Sequence, residues 1–155
     1  MNSFSAQNFA HDQLLPFLLN PKSYPHRPKH VRLVQTHASY VFLAPPFVYK
    51  VKKPVNFGFL DFSTLEKRRF FCHREVKLNR RLCPTVYLGV IPISMKQARL
   101  IFGEGDPIVE YAVKMRKLSE RNFLDTRVER GEVSVRDLER VAQTLKKFYE
   151  AQKPT

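Results

Sequence analysis

The chain has little of several things that small proteins use to define themselves. It has no tryptophan, five glycines and two cysteines among 155 residues. Two cysteines, Cys72 and Cys83, exclude a disulfide framework and offer no metal-ligand spacing. They read as small core thiols of a cytoplasmic protein. The apolar runs are short; "VFLAPPFVY" is broken by proline and far below the length that spans a bilayer. No signal peptide is visible, and there is no repeat or low-complexity tract. Acidic residues are scarce: 14 Asp+Glu face 27 Lys+Arg, a net charge of +13. Such a field attracts polyanions, whether nucleic acid, nucleotide phosphates or an anionic surface. What the chain does have is apolar mass. Hydrophobic residues make up 43% of it, 13 of them Phe, enough for one well-packed domain and too much for disorder.

Residues 1–30 form an N-terminal extension. In it "HDQLLPFLLN" has the pattern of one short helix ended by Pro21, followed by a proline-punctuated loop. From Val31 the period becomes two. "VRLVQTH", "SYVFLA" and "FVYKVKK" read as three strands joined by tight turns, a meander. Ser63 and Glu66 make an S-x-x-E capping box, opening a helix over 63–82 that Pro84 stops. "TVYLGVIPI", "ARLIF" and "PIVEYAVKM" are further strands, the last two separated by the turn "GEGDP". A short helix follows over Arg121 to Glu129, stopped by Gly131. Ser134, with Asp137 in the box position, caps another, whose apolar stripe runs Val135, Leu138, Val141, Ala142, Leu145, Phe148 and Tyr149. The order predicts an α+β fold, an antiparallel sheet of about five strands with one long helix on it.

Two features carry chemistry. Val48, Lys50 and Lys52 share one face of the third strand, and Phe47, Tyr49 and Val51 the other. The lysine face either points into water or meets something negative. Glu75 lies at helical spacing from Phe71, Cys72, Leu78, Asn79 and Leu82, away from the polar face of Lys67, Arg74, Lys77 and Arg81. A carboxylate against a packing face needs a partner. A sheet lysine is one choice; Arg68 or Asn79 of its own helix is another.

A strand lysine held by a glutamate of the next helix is the arrangement of protein-kinase-like folds. "VYKVKKPVNFGFLDFSTLEKRR", "REVKLNRRL" and "VEYAVKM" extend this to a specific likeness. Over roughly residues 31 to 150 the chain resembles the amino-terminal lobe of bacterial aminoglycoside-phosphotransferase-like proteins, some of which also carry a P-loop ATPase-type domain. The resemblance implies a kinase-like lobe over 31–116, then a hinge and the start of a helical second lobe over 117–155. It implies ATP or GTP, with magnesium, as cofactor. Lys50 matches the phosphate lysine, with Lys52 as alternative, and Glu75 the helix glutamate. Val48 and Met115 would line the adenine pocket, and backbone groups of Met115, Arg116 and Lys117 would meet the base. Thr36, His37 and Ser39 occupy the phosphate-covering turn, which has no glycine; they serve there as donors or only as a hairpin turn.

Transfer chemistry in such a fold needs a catalytic aspartate, often in an H-x-D context, and a metal-binding aspartate from a second lobe. The aspartates are Asp12, Asp61, Asp106, Asp125 and Asp137, and the His–Asp neighbours His11 and Asp12 precede the sheet. The expectation is therefore a nucleotide-binding lobe, catalytically incomplete alone. It belongs either to a truncated reading frame or to a system in which another polypeptide supplies the rest. The 135–149 stripe then offers a surface for self-association. The alternative is a basic nucleic-acid-binding module. "EKRRFFCHREVKLNRR" holds seven Lys/Arg in sixteen residues, interleaved with Phe70 and Phe71. No helix-turn-helix, zinc or RNA-recognition pattern accompanies it, and a solvated helix face accounts for the same residues.

Overall fold

The structure is a computed structural model that describes residues 13–152. His11 and Asp12 lie outside the described residues. Two compact units divide at Lys117.

The first unit is built on an antiparallel sheet of six strands: β1 (Arg32–Gln35), β2 (Ser39–Ala44), β3 (Phe47–Lys52), β4 (Tyr87–Lys96), β5 (Arg99–Phe102) and β6 (Ile108–Arg116). Their order across the sheet is β1-β2-β3-β6-β4-β5. The period-two segments predict these strands, and the turns at 36–38, 45–46 and 97–98 make hairpins of consecutive ones. β6 is inserted between β3 and β4, which puts β3 and β6 at the centre. Alternation then decides the two faces.

One face carries the larger core. Phe42, Ala44, Tyr49, Val51, Ile93 and Ala112 pack there with Leu14, Leu18 and Tyr24 from the segment before the sheet. That segment is helical over 13–19 (α1) and then turns through a 3₁₀ stretch, Pro21–Ser23, whose first amide donors Asn20 helps to satisfy. The Tyr24 hydroxyl donates to the Leu18 carbonyl at 2.5 Å, and its ring meets Tyr49 edge-on. Burial raises the Tyr49 phenol to about 12.

The other face receives α2 (Leu65–Asn79), which lies over β6 and β4. Cys72 and Val76 pack there on Tyr111 and Val113. The helix differs from its expected limits at both ends. Its cap is Thr64, whose side-chain oxygen accepts the Lys67 amide at 3.2 Å. Ser63 does not cap because Asp61 takes both its amide (3.0 Å) and its hydroxyl (2.6 Å). The helix also ends three residues early, at Asn79, and Cys83 lies in the turn beyond it. Cys72 is buried and Cys83 exposed, so only the first is a core thiol. Burial pushes the Cys72 thiol up to about 12.

The second unit, from Leu118, is helical. The single short helix expected over 121–129 is two pieces: a 3₁₀ turn, Glu120–Asn122, and α3 (Leu124–Glu129), separated by extended backbone at Phe123. Gly131, at φ 67°, turns the chain where a side chain would be strained. The predicted capping box opens α4 (Val135–Glu150), with Ser134 and Asp137 exchanging bonds in both directions. These bonds, and Arg127 at 3.2 Å, hold the Asp137 carboxyl down at about 2. The α4 stripe is open: Val135, Leu138, Val141, Leu145 and Tyr149 are all exposed.

Candidate functional site

Three residues of the expected site meet on the α2 side of the sheet. Lys50 Nζ donates to Glu75 Oε1 at 3.0 Å, and Lys52 Nζ donates to Glu75 Oε2 at 2.7 Å. The strand's alternation places both lysines on one face, and α2 lowers Glu75 onto them from above. Neither Arg68 nor Asn79 pairs with the Glu75 side chain: Asn79 donates to the Glu75 main-chain carbonyl, and Arg68 turns elsewhere. Burial alone would raise the Glu75 carboxyl. The hydrogen bond and charge of Lys52, followed by those of Lys50, outweigh it and hold the group below its ordinary value.

The two lysines are unequal. The Lys52 side chain is 6% exposed and that of Lys50 29%, with Glu75 at 14%. Lys52 Nζ sits 4.7 Å from the centre of the buried Phe62 ring. Lys50 keeps an open flank.

Strand register shows what lies on that flank. Val34, Val41, Lys50, Val113 and Val90 form one row across β1, β2, β3, β6 and β4; Leu43, Val48, Met115 and Tyr87 form the next. The helix covers the β6 and β4 end of these rows. Over β1 and β2 the face is less sheltered: Val34 is exposed, and Val41 and Leu43 are half-buried, whereas Val48 of β3 is buried. The expected neighbours Val48 and Met115 stand directly opposite each other here. Val34, Val41 and Leu43 were missed by the sequence reading; carrying the lysine parity through the two hairpins would have found them. A half-covered apolar surface edged by a partly exposed ammonium suits a flat ring with an anionic tail.

The remaining expected residues divide. Ser39 is buried and pairs in register with Lys52, while Thr36 and His37 are exposed on the β1–β2 turn. The Thr36 and Ser39 groups are spent largely on the turn itself. Thr36 N donates to Ser39 O at 2.9 Å, and Ser39 N to Thr36 Oγ1 at 3.0 Å. At the end of β6, Arg116 N donates to Val86 O and Lys117 N to Pro46 O. Those two donors are engaged by the protein, which removes them from the set expected to meet a base.

A second ion pair was missed altogether. Arg68 Nε donates to both Glu110 oxygens, at 3.0 and 2.8 Å, and Arg68 Nη1 donates to the Phe62 carbonyl at 3.0 Å. Glu110 is fully buried and also accepts the Tyr111 amide at 3.0 Å. The signal was present: a lone glutamate inside the apolar strand "PIVEYAVKM". This pair ties the first turn of α2 to β6.

Among known proteins the chain is similar to uncharacterized proteins of Mycobacterium bovis and Mycobacterium tuberculosis, 34% identical over 116 residues. The match takes in 75% of this chain and 22% of each relative, so it spans about a fifth of their length. No family model and no solved structure matches the chain.

Proposed function

We propose that the sheet unit is the nucleotide-binding lobe of a small-molecule phosphotransferase-like protein of the aminoglycoside-phosphotransferase type. One observation carries the reading: the third-strand Lys50, partly exposed beside an open apolar face, bonds the glutamate of the helix that follows. That is the contact by which kinase-like folds hold a lysine against nucleotide phosphates. The strand order agrees, with the lysine strand central and the helix crossing from it to β4. In this reading the base of ATP or GTP lies against Val41, Leu43, Val48 and Met115. Its phosphates, with magnesium, reach Lys50. A second lobe brings the aspartates that transfer requires, so this unit binds and orients nucleotide, and chemistry awaits the partner.

Calorimetric titration of the purified chain with MgATP and MgGTP tests this. The expected result is saturable binding that weakens at least about tenfold in Lys50→Ala. No binding by the unaltered chain, with its fold intact, overturns it.

A polynucleotide reading has one observation in its favour. Phe70, His73, Arg74, Lys77 and Leu78 line a shallow groove of about 410 Å³ on the outer side of α2. Were that groove the working site, single-stranded RNA would bind with a steep salt dependence and be indifferent to Lys50→Ala.

A further inference from the structure

We propose that the outer edge of β5 is a docking site for an extended acidic peptide, which joins the sheet there as a further strand. The proposal is independent of the nucleotide reading.

β5 stands at the end of the sheet, with β4 on one side and no described strand on the other. In an antiparallel pair, alternate residues bond the neighbour and those between turn their amides and carbonyls away. The tight turn of Gln97 and Ala98, both at positive φ, fixes which are which. Lys96 stands opposite Arg99 and Ser94 opposite Ile101. Gly103, next in that parity, donates its amide to the Pro92 carbonyl at 2.8 Å. Arg99 and Ile101 therefore bond toward β4. Leu100 and Phe102 turn their main-chain groups outward, where no described residue bonds them. Such a row is a template for another chain.

A cleft of about 600 Å³ follows this edge. One wall is β5 itself, all four residues in succession; the other is the segment before the sheet, with Asn20, Lys22 and Arg27. A cavity on one face of a strand meets alternate residues only. Contact with both parities places this one along the main chain. Leu100 and Phe102 pack in the core shared with Leu18 and Tyr24. Arg99 and Ile101 belong to the opposite face.

Charge selects the occupant. Lys22, Arg27 and Arg99 bring three cations to the cleft, and no acidic residue is among the described residues that line it. None of the three forms an ion pair with a described residue. A second copy of β5 would set these cations against themselves in a chain of net charge +13. A polynucleotide brings phosphate acceptors for the amides but no donors at strand spacing for the carbonyls. An acidic strand satisfies both, its main chain completing the ladder and its carboxylates meeting the cations.

The experiment titrates the full chain with a terminally blocked six-residue peptide of alternating glutamate and valine. The expected result is saturable binding in calorimetry, with amide exchange slowed at Leu100 and Phe102. Lysine in place of each glutamate is expected to abolish binding. Lys22→Glu with Arg27→Glu is expected to weaken it at least about tenfold. The deciding probes are two methylated peptides, one carrying N-methyl groups on its glutamate amides and the other on its valine amides. A paired strand turns only one of these sets toward β5. One methylated peptide is therefore expected to lose at least about tenfold in affinity and the other to stay within about threefold.

No binding of the unmethylated peptide overturns the proposal. So does an equal response to the two methylated peptides, which is charge attraction without a strand. Displacement of the peptide by an equal or lower concentration of oligothymidylate gives the cleft to nucleic acid and overturns it as well. Circular dichroism checks the fold of the double variant. Should that variant fail to fold, the methylated peptides decide on the unaltered chain.

Discussion

Two carboxylates sit between α2 and the sheet, and they are solved in opposite ways. Glu110 is sealed. Both of its oxygens accept from one guanidinium, a backbone amide adds a third bond, and water has no access to it. Glu75 is shared. It has two separate ammonium partners, one sealed and one with an open flank. The Arg68 guanidinium, with Nε on both carboxylate oxygens and Nη1 on the Phe62 carbonyl, is fixed in place and leaves nothing to exchange. A pair of lysines leaves one partner that can be exchanged. The closed pair is therefore the fastener and the open pair the candidate site, though both lie under the same helix.

The sharpest way to break this comparison is at the fastener. Glu110→Ala strands a buried guanidinium and is expected to cost about 3–5 kcal/mol in urea unfolding. Glu75→Ala comes next, at about 2 kcal/mol, because Glu75 is less enclosed than Glu110 and one of its two partners, Lys50, is partly solvated. An equal cost for the two would erase the distinction.

Acid separates the shared site by titration. The Glu75 carboxyl is held below its ordinary value, so its stabilisation is complete above the unfolded-state range, near pH 4.5, and is lost as pH falls through the depressed folded value. Parent and Glu75→Gln are thus expected to diverge in melting temperature above that range and converge below it. Parallel curves throughout would remove Glu75 from the account. Smallest in stability is Lys50→Ala, expected within about 1 kcal/mol of the parent, since the lysine is partly solvated and Glu75 keeps Lys52. A loss as large as that of Glu110→Ala would make Lys50 a structural residue. In the helical unit, the open α4 stripe leads us to propose self-association there. Leu138→Ser with Leu145→Ser is expected to shift sedimentation toward the monomer with little change in the sheet unit's melting.

Much of this was legible in the residues because alternation and burial are local signals. The Val/Tyr/Phe strands and their lysines follow from a period of two, and Glu75 stands out against an apolar helix face. The Ser134–Asp137 box is legible for the same reason. The misreadings arose where two local choices compete. Ser63 and Thr64 are both able to cap, and only the claim of Asp61 on Ser63 decides between them. Asn79 ends the helix although Leu82 continues its stripe. Arg68 and Glu110 are 42 residues apart, so nothing local to either names the other. The insertion of β6 beside β3, which brings Met115 opposite Val48, is likewise a matter of long-range pairing.

The two thiols differ in a way that reaches beyond packing. Cys83 stands in the open turn after α2, and Cys72 is shut beneath that helix, its sulfur 3.9 Å from the Tyr111 carbonyl. An alkylating reagent will mark the first at once and must wait for the second until the helix lifts. The delay between the two modifications is a built-in clock for that lifting, readable by mass without any engineered label.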